Sequence, residues 1–165
     1  MSPNLPLKTT ELERFLRYVT YDTQSDENSE TYPSTAKQLV LLDKLVEELL
    51  AIGLKDAVRD EHGYVFATVP ATTRKANVPV IGFIAHADTS PEADGANVKP
   101  IIHRDWQGGD IVLPDDQATV LKANDSPVLA GKKGHDIITA SGKTLLGADN
   151  KAGVAEVVAA AEYLM

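Results

Sequence analysis

The sequence predicts an α/β fold in which helices cover a mixed sheet, and two observations carry this prediction. Residues 10–22, 34–52 and 150–165 carry apolar side chains at helical spacing, which indicates three amphipathic helices. Residues 78–85 (VPVIGFIA) are apolar at nearly every position, and continuous hydrophobicity is typical of a strand buried on both faces. We therefore expect the strand 78–85 at the centre of the sheet, with the three helices packed on that sheet.

The first two predicted helices have clear end signals. Thr10 and Glu13 form a capping-box pattern at the start of the first helix. The second helix is predicted to begin at Ser34 or Thr35 and to end at Gly53, because glycine is the usual residue just after a helix. The last helix shows no such stop at the end of the sequence, so we interpret the chain as cut within that helix and as a piece of a longer chain.

Short strands are predicted between the helices. The runs 56–60 and 64–69 flank a glycine-containing turn, which predicts a hairpin. Glycine, proline, aspartate and asparagine are frequent in residues 92–134, a stretch that we interpret as loops with minor strands. The further short strands are predicted at residues 99–102, 110–113, 119–121, 136–140 and 144–146.

Composition excludes several classes of function. The chain has 165 residues, a length that fits one domain, and it has no cysteine, which rules out disulfide scaffolds, thiol nucleophiles and cysteine-ligated metals. A net charge of −8 repels phosphate backbones, so we expect no nucleic-acid partner. No signal peptide and no apolar run of about 20 residues is visible, so we expect no membrane partner and a cytoplasmic location.

The first candidate site follows the predicted central strand. His86 and Asp88 form an H-x-D pair just beyond the carboxyl end of that strand, where ligands collect in open α/β sheets. An imidazole there can bind a metal ion while a nearby carboxylate accepts the other ring N–H and fixes the tautomer. The alternative is a polar strand end whose aspartate only bonds the loop, and a single H-x-D pattern does not decide between the two.

The second candidate site lies where a predicted strand meets the last helix, in residues 146–153 (LGADNKAG). Asp149 can serve here as a metal-bridging carboxylate, whereas the alternative is that Asp149 or Asn150 caps the helix. One imidazole and one carboxylate on different elements would together be half of a zinc site. If they share a zinc ion, the side chains of His86 and Asp149 should lie within about 4 Å of each other.

Other polar and aromatic residues are given structural interpretations. His62, His103 and His135 are expected to be exposed to solvent, and Trp106 is expected to anchor packing. The sequence contains neither a phosphate-binding glycine motif nor a G-x-S-x-G motif, so we expect neither a P-loop enzyme nor a serine hydrolase.

Taken together, five segments resemble the family of co-catalytic zinc amino- and carboxypeptidases, and within it the tripeptide aminopeptidases. The segments are DTQS at 22–25, YPST at 32–35, GFIAHADTSP at 82–91, GGDI at 108–111 and LLGADNKAG at 145–153. They occur in the family's order and cover almost the whole chain. The resemblance implies that residues 1–165 are the N-terminal portion of a zinc-peptidase catalytic domain, without the lid and dimerisation domain.

The resemblance also implies roles for individual residues. His86 would bind one zinc ion, Asp88 would be the catalytic residue that orients this histidine, and Asp149 would bridge two zinc ions. Asn150 stands where many members of the family have a second aspartate. The general-base glutamate, its zinc-binding neighbour and the other zinc ligands would lie beyond Met165.

The function that the resemblance implies is a metallo-aminopeptidase with two zinc ions per complete site. Water activated by the zinc ions would release the N-terminal residue of a tripeptide, and the full-length form would be a homodimer. The 165-residue chain alone is expected to be inactive, because it offers two zinc ligands whereas catalytic sites normally use three and a water. Two alternatives stay open: a related two-zinc deacylase or carboxypeptidase, and a non-catalytic α/β binding module in which His86 and Asp149 are structural.

Overall fold

The computed structural model describes residues 8–165 and contains both helices and strands, which confirms the mixed α/β class. The helices are α1 (Glu11–Tyr18), α2 (Gln38–Ile52), α3 (Pro127–Ala130) and α4 (Ala148–Leu164), and a 3₁₀ turn spans Ala123–Asp125. The strands are β1 (Val58–Arg59), β2 (Val65–Phe66), β3 (Ile101–Trp106), β4 (Ile111–Leu113), β5 (Asp116–Leu121) and β6 (His135–Thr139). Within residues 8–165 no helix is long and apolar enough to cross a bilayer.

The strands pair in three separate antiparallel sheets of two strands each. β1 pairs with β2 in the hairpin that the sequence predicts, with Val58 opposite Phe66. β3 pairs with β6, and β4 pairs with β5. Four of the predicted minor strands therefore exist, whereas residues 144–146 form no strand.

The prediction of a buried central strand at residues 78–85 is wrong. This segment forms no strand, and Val80 and Ile84 are 98% and 96% exposed. A strand buried on both faces needs hydrogen-bonding neighbours at its edges and helices against its faces. No strand among residues 8–165 pairs with this segment, and of its residues only Ala85 packs against the main core of the described chain.

The ends of α1 and α2 follow local signals. Thr10 and Glu13 form the predicted capping box, in which each side chain accepts a backbone N–H of the other residue. α2 begins at Gln38, later than predicted, and the amide of Gln38 donates to the hydroxyl groups of the two residues predicted to start the helix. Gly53 ends α2 with a φ of +112°, which confirms the predicted stop.

The main hydrophobic core lies between α1, α2 and α4. Its buried side chains include Phe15, Tyr18, Leu41, Leu45, Leu49, Val154, Ala155 and Val158. A smaller cluster in residues 101–139 contains Trp106, Ile111 and Leu113, which confirms Trp106 as a packing anchor. His62 and His135 are exposed as expected, whereas His103 is half-buried and hydrogen-bonds to Thr139.

A buried cluster of charges joins the same three helices. Arg14 in α1 is 1% exposed, and its guanidinium donates to Glu48 in α2 and to Glu162 in α4. The hydroxyl of Tyr18 also donates to Glu48, at 2.7 Å. Burial and this bond to Glu48 raise the pKa of Tyr18, so the hydroxyl stays protonated. The cluster ties the C-terminal part of α4 to α1 and α2.

Candidate metal site

The two residues predicted to share a metal ion lie side by side. Nε2 of His86 is 3.0 Å from Oδ1 of Asp149, although 63 positions separate these residues in the sequence. This separation lies within the limit of about 4 Å expected for ligands of one zinc ion. The structure therefore brings the two candidate ligands together, and their role as metal ligands stays a prediction.

Asp88 lies at the other nitrogen of the same ring. Its carboxylate Oδ1 and its backbone oxygen are each 3.1 Å from Nδ1 of His86. An acceptor at Nδ1 holds the proton on that nitrogen and leaves the Nε2 lone pair of a neutral ring for a metal ion. Asp88 thus lies against the ring of His86, and its role in orienting that ring stays a prediction.

The charge state of His86 reflects both carboxylates. Burial is the largest single influence and disfavours the charged ring, but the hydrogen bond to Asp149 and the charge of Asp88 outweigh it. Together they raise the pKa of His86 above its ordinary value of 6.5. A metal ion therefore has to displace a proton that is held more tightly than on a free imidazole.

The site is open to solvent. The side chains of His86 and Asp149 are 52% and 95% exposed. Exposed ion pairs contribute about 0–1 kcal/mol to stability, because water and salt screen them. A gain in stability therefore does not explain why His86 and Asp149 lie together. Their accessible nitrogen and oxygen atoms suit the binding of an ion from solution.

In the first turn of α4, Asn150 caps the helix and Asp149 faces His86. Asp149 and Asn150 have non-helical backbone angles, and the peptide bond between them is cis. Oδ1 of Asn150 accepts the N–H of Gly153 at 3.1 Å, which is the bond of an N-cap. Of the two interpretations of this segment, capping thus belongs to Asn150. The carboxylate of Asp149 is left to face His86.

The loop that carries His86 and Asp88 is held by residues 21–25. Thr23 is fully buried; its hydroxyl donates to the carbonyl of Ala87 at 2.7 Å, and its carbonyl accepts the N–H of Thr89 at 3.1 Å. The N–H and the hydroxyl of Ser25 both donate to the carbonyl of Thr89. Sequence reasoning gave Thr23 no function, because its partners are distant backbone atoms.

Lys151 is a second residue of the site that sequence reasoning did not single out. It is 1% exposed, and its Nζ donates to the carbonyl of Tyr21 at 2.7 Å. Burial lowers the pKa of Lys151 to about 8, although the nearby charge of Asp22 acts in the opposite direction. Lysine at the start of a helix is ordinarily exposed, so no signal in the sequence marks this one as buried.

The donor atoms fit part of a zinc site. An imidazole nitrogen and a carboxylate oxygen are ordinary zinc ligands, and an ion about 2.0–2.2 Å from each can span the gap between His86 and Asp149. Within residues 8–165 no group of three or more histidine, aspartate or glutamate side chains is arranged to hold a metal ion. The described residues therefore offer two candidate ligands, fewer than a catalytic zinc site uses.

Comparison with curated proteins gives the relatives of this chain. It is 55% identical to peptidase T of Geobacillus kaustophilus over 159 residues and 51% identical to peptidase T of Bacillus subtilis over 159 residues. Both alignments cover 96% of this chain and 38% of the relative. This chain is a relative of peptidase T. The resemblance inferred from the motifs is thereby confirmed.

Peptidase T of Clostridium acetobutylicum gives the same result, with 53% identity over 153 residues, which are 93% of this chain and 37% of the relative. The chain thus spans about two fifths of the length of the peptidase T proteins that it matches. No family model matches the chain. The part shared with peptidase T includes almost all of the residues described above.

Proposed function

We propose that this chain provides part of the catalytic domain of a zinc-dependent tripeptide aminopeptidase. The observation that carries the proposal is the contact between His86 and Asp149, with Asp88 behind the ring, in a chain 51–55% identical to part of peptidase T. The substrate would be a short peptide with a free amino terminus. The other zinc ligands and the general-base glutamate would come from a chain of the relatives' length.

Each of the three residues would have its own task. Nε2 of His86 would bind one zinc ion, while Asp88 keeps the proton on Nδ1 and holds the plane of the ring. Asp149 would hold both zinc ions, and the exposure of its side chain leaves the carboxylate accessible. When bound, two zinc ions supply a water of lowered pKa and polarise the scissile carbonyl.

The test compares this chain with a form extended to the length of the relatives, both in excess zinc with a tripeptide as substrate. We expect the extended form alone to release the N-terminal residue, since a missing general base lowers rates by about 10²- to 10⁴-fold. Asp149→Ala in the extended form should abolish activity. Asp125→Ala, which removes an exposed carboxylate from the 3₁₀ turn, is the matched control and should leave activity unchanged.

The other outcomes distinguish the alternatives. Activity in neither protein would favour a non-catalytic binding module. Hydrolysis of an N-acylated substrate in preference to the free tripeptide would favour a related deacylase. Robust, chelator-sensitive hydrolysis by the 165-residue chain would contradict the view that its site is incomplete.

The proposal extends to the setting of the full-length protein. We propose a cytoplasmic location and a homodimer, on the resemblance to the family. Cell fractionation and sedimentation of the extended form test these two points separately from activity. A monomer with full tripeptidase activity would overturn the dimer and leave the reaction standing.

A further inference from the structure

The burial of Lys151 is not explained by ion pairing. Among residues 8–165 no carboxylate lies within ion-pair distance of its Nζ, whereas the equally buried Arg14 is paired with two glutamates. Burying an ammonium group without a close counter-ion costs free energy, and an apolar side chain of similar length would avoid that cost. What Lys151 does gain is the carbonyl of Tyr21, at 2.7 Å.

That hydrogen bond connects the two halves of the candidate site. Lys151 lies two residues after Asp149 at the start of α4, and Tyr21 begins the segment that holds the His86 loop. From Tyr21 the connection continues through Thr23, which bonds the backbone on both sides of Asp88, at Ala87 and Thr89. The backbone of Gly147 also approaches the side chain of Thr89, so the two loops meet closely.

We propose that Lys151 is a positioning residue: by holding the carbonyl of Tyr21 it fixes the His86–Asp88 loop against Asp149 and so sets the separation of the two ligands. The inference rests on the proposed function only in calling these residues ligands. Within residues 8–165 no hydrogen bond joins the side chain of Lys151 to His86. Its effect on the site passes through the backbone of residues 21–25 and 87–89.

The first test uses the metal-free chain at one fixed pH. The imidazole ¹⁵N signals of His86 report its contact with Asp149, and Asp149→Ala provides the reference for a lost contact. We expect Lys151→Met to move these signals toward that reference while the chain stays folded. Signals identical to those of the unchanged chain would overturn the proposal.

The second test measures zinc binding by calorimetry. Removing a residue that orients metal ligands typically weakens metal affinity by about 10- to 100-fold. We expect a loss in this range for Lys151→Met and for Thr23→Val, which removes the bond to Ala87 without changing charge. Affinity within twofold of the unchanged chain in both folded variants would overturn the proposal.

Arg14→Lys is the matched control. Arg14 bonds Glu48 in α2 and Glu162 near the C-terminal end of α4, so Arg14→Lys weakens these bonds and lowers stability without changing the connection between the two loops at the start of α4. We expect its His86 signals and zinc affinity to match those of the unchanged chain. If Arg14→Lys loses as much zinc affinity as Lys151→Met, the role of Lys151 is merely structural and the proposal is overturned.

The two hypotheses fail in different ways. If the unchanged chain and its extended form both bind no zinc, the proposed metal function fails. The ¹⁵N signals of metal-free Lys151→Met then still decide whether Lys151 positions His86. If zinc binds and Lys151→Met has no effect on either measurement, the positioning inference fails and the proposed function stands.

Discussion

Two adjacent stretches of the chain, residues 78–84 and 85–89, have opposite surroundings. The first is more apolar, yet it has no strand partner, and Val80 is 98% exposed. The second is polar, yet its backbone is held by Thr23 and Ser25. The difference shows that available backbone partners, more than the hydrophobicity of a segment, decide where that segment is fixed.

The comparison extends to the two buried cations. Arg14 is held by carboxylates from two helices, and Lys151 is held by one carbonyl from a loop. The first arrangement holds helices together, and we expect its loss to lower the free energy of unfolding. The second holds a loop in place, and we expect its loss to change the contact between His86 and Asp149. The following substitutions test this distinction, starting with the largest effect.

Arg14→Met should lower the free energy of unfolding by about 3–5 kcal/mol, because Glu48 and Glu162 would lose their buried partner. Arg17→Met is the control, since Arg17 bonds the same Glu48 from a side chain that is 46% exposed, and should cost less than about 1 kcal/mol. Denaturant titration measures both. Equal losses in the two variants would show that burial does not set the strength of this cluster.

Asn150→Ala should lower the free energy of unfolding by about 1 kcal/mol, because the N–H of Gly153 would lose its capping acceptor. Asn150→Asp keeps an oxygen in the same place and should retain most of that stability. Thermal or denaturant unfolding gives the comparison. A loss in Asn150→Asp as large as in Asn150→Ala would show that Asn150 does not act as the cap.

Asp149→Asn should lower the pKa of His86, since the bond to Asp149 helps to raise that pKa. A raised folded-state pKa makes the charged ring stabilising below the unfolded value of about 6.5, and this contribution is lost as pH rises through the folded-state pKa. Asp149→Asn should therefore flatten the pH dependence of the free energy of unfolding above about pH 6.5. NMR titration of the metal-free chain checks the pKa, and an unchanged value would contradict the contact.

Val80→Lys should change the free energy of unfolding by less than about 0.5 kcal/mol, because the side chain is 98% exposed. The same change should reduce self-association, which an uncharged, unpaired apolar segment favours. Val98→Lys, at a position 7% exposed, is the control that should destabilise strongly. Sedimentation and unfolding together measure the effects; a large loss of stability in Val80→Lys would mean that the segment is covered in solution.

Local signals are what the sequence predicts well. The capping box of Thr10 and Glu13 and the stop at Gly53 are each determined within a few residues, and both are present. The approach of His86 to Asp149 was predicted from their two motifs, although the strand expected to end before His86 is absent. That expectation depended on a resemblance as well as on spacing.

The errors and omissions concern neighbours that are distant in the sequence. Residues 78–85 have the pattern of a buried strand, but a pattern does not state whether paired strands are present. Thr23 and Lys151 act through carbonyl groups, which every residue possesses, so no residue type marks their partners. The contacts of these two residues become visible only in the three-dimensional structure.

Gly153 shows how an absent side chain can govern a residue three positions away. A Cβ at this position would lie 2.9 Å from Cγ of Asn150, too close for the asparagine to keep its place. Alanine, which favours an ordinary helix over glycine by about 1 kcal/mol, would here expel the cap and leave the helix end open to Asp149 as a substitute. A stabilising substitution chosen by helix propensity alone would thus draw the carboxylate away from His86. The space beside Gly153, which the amide of Asn150 occupies, is therefore needed for the cap.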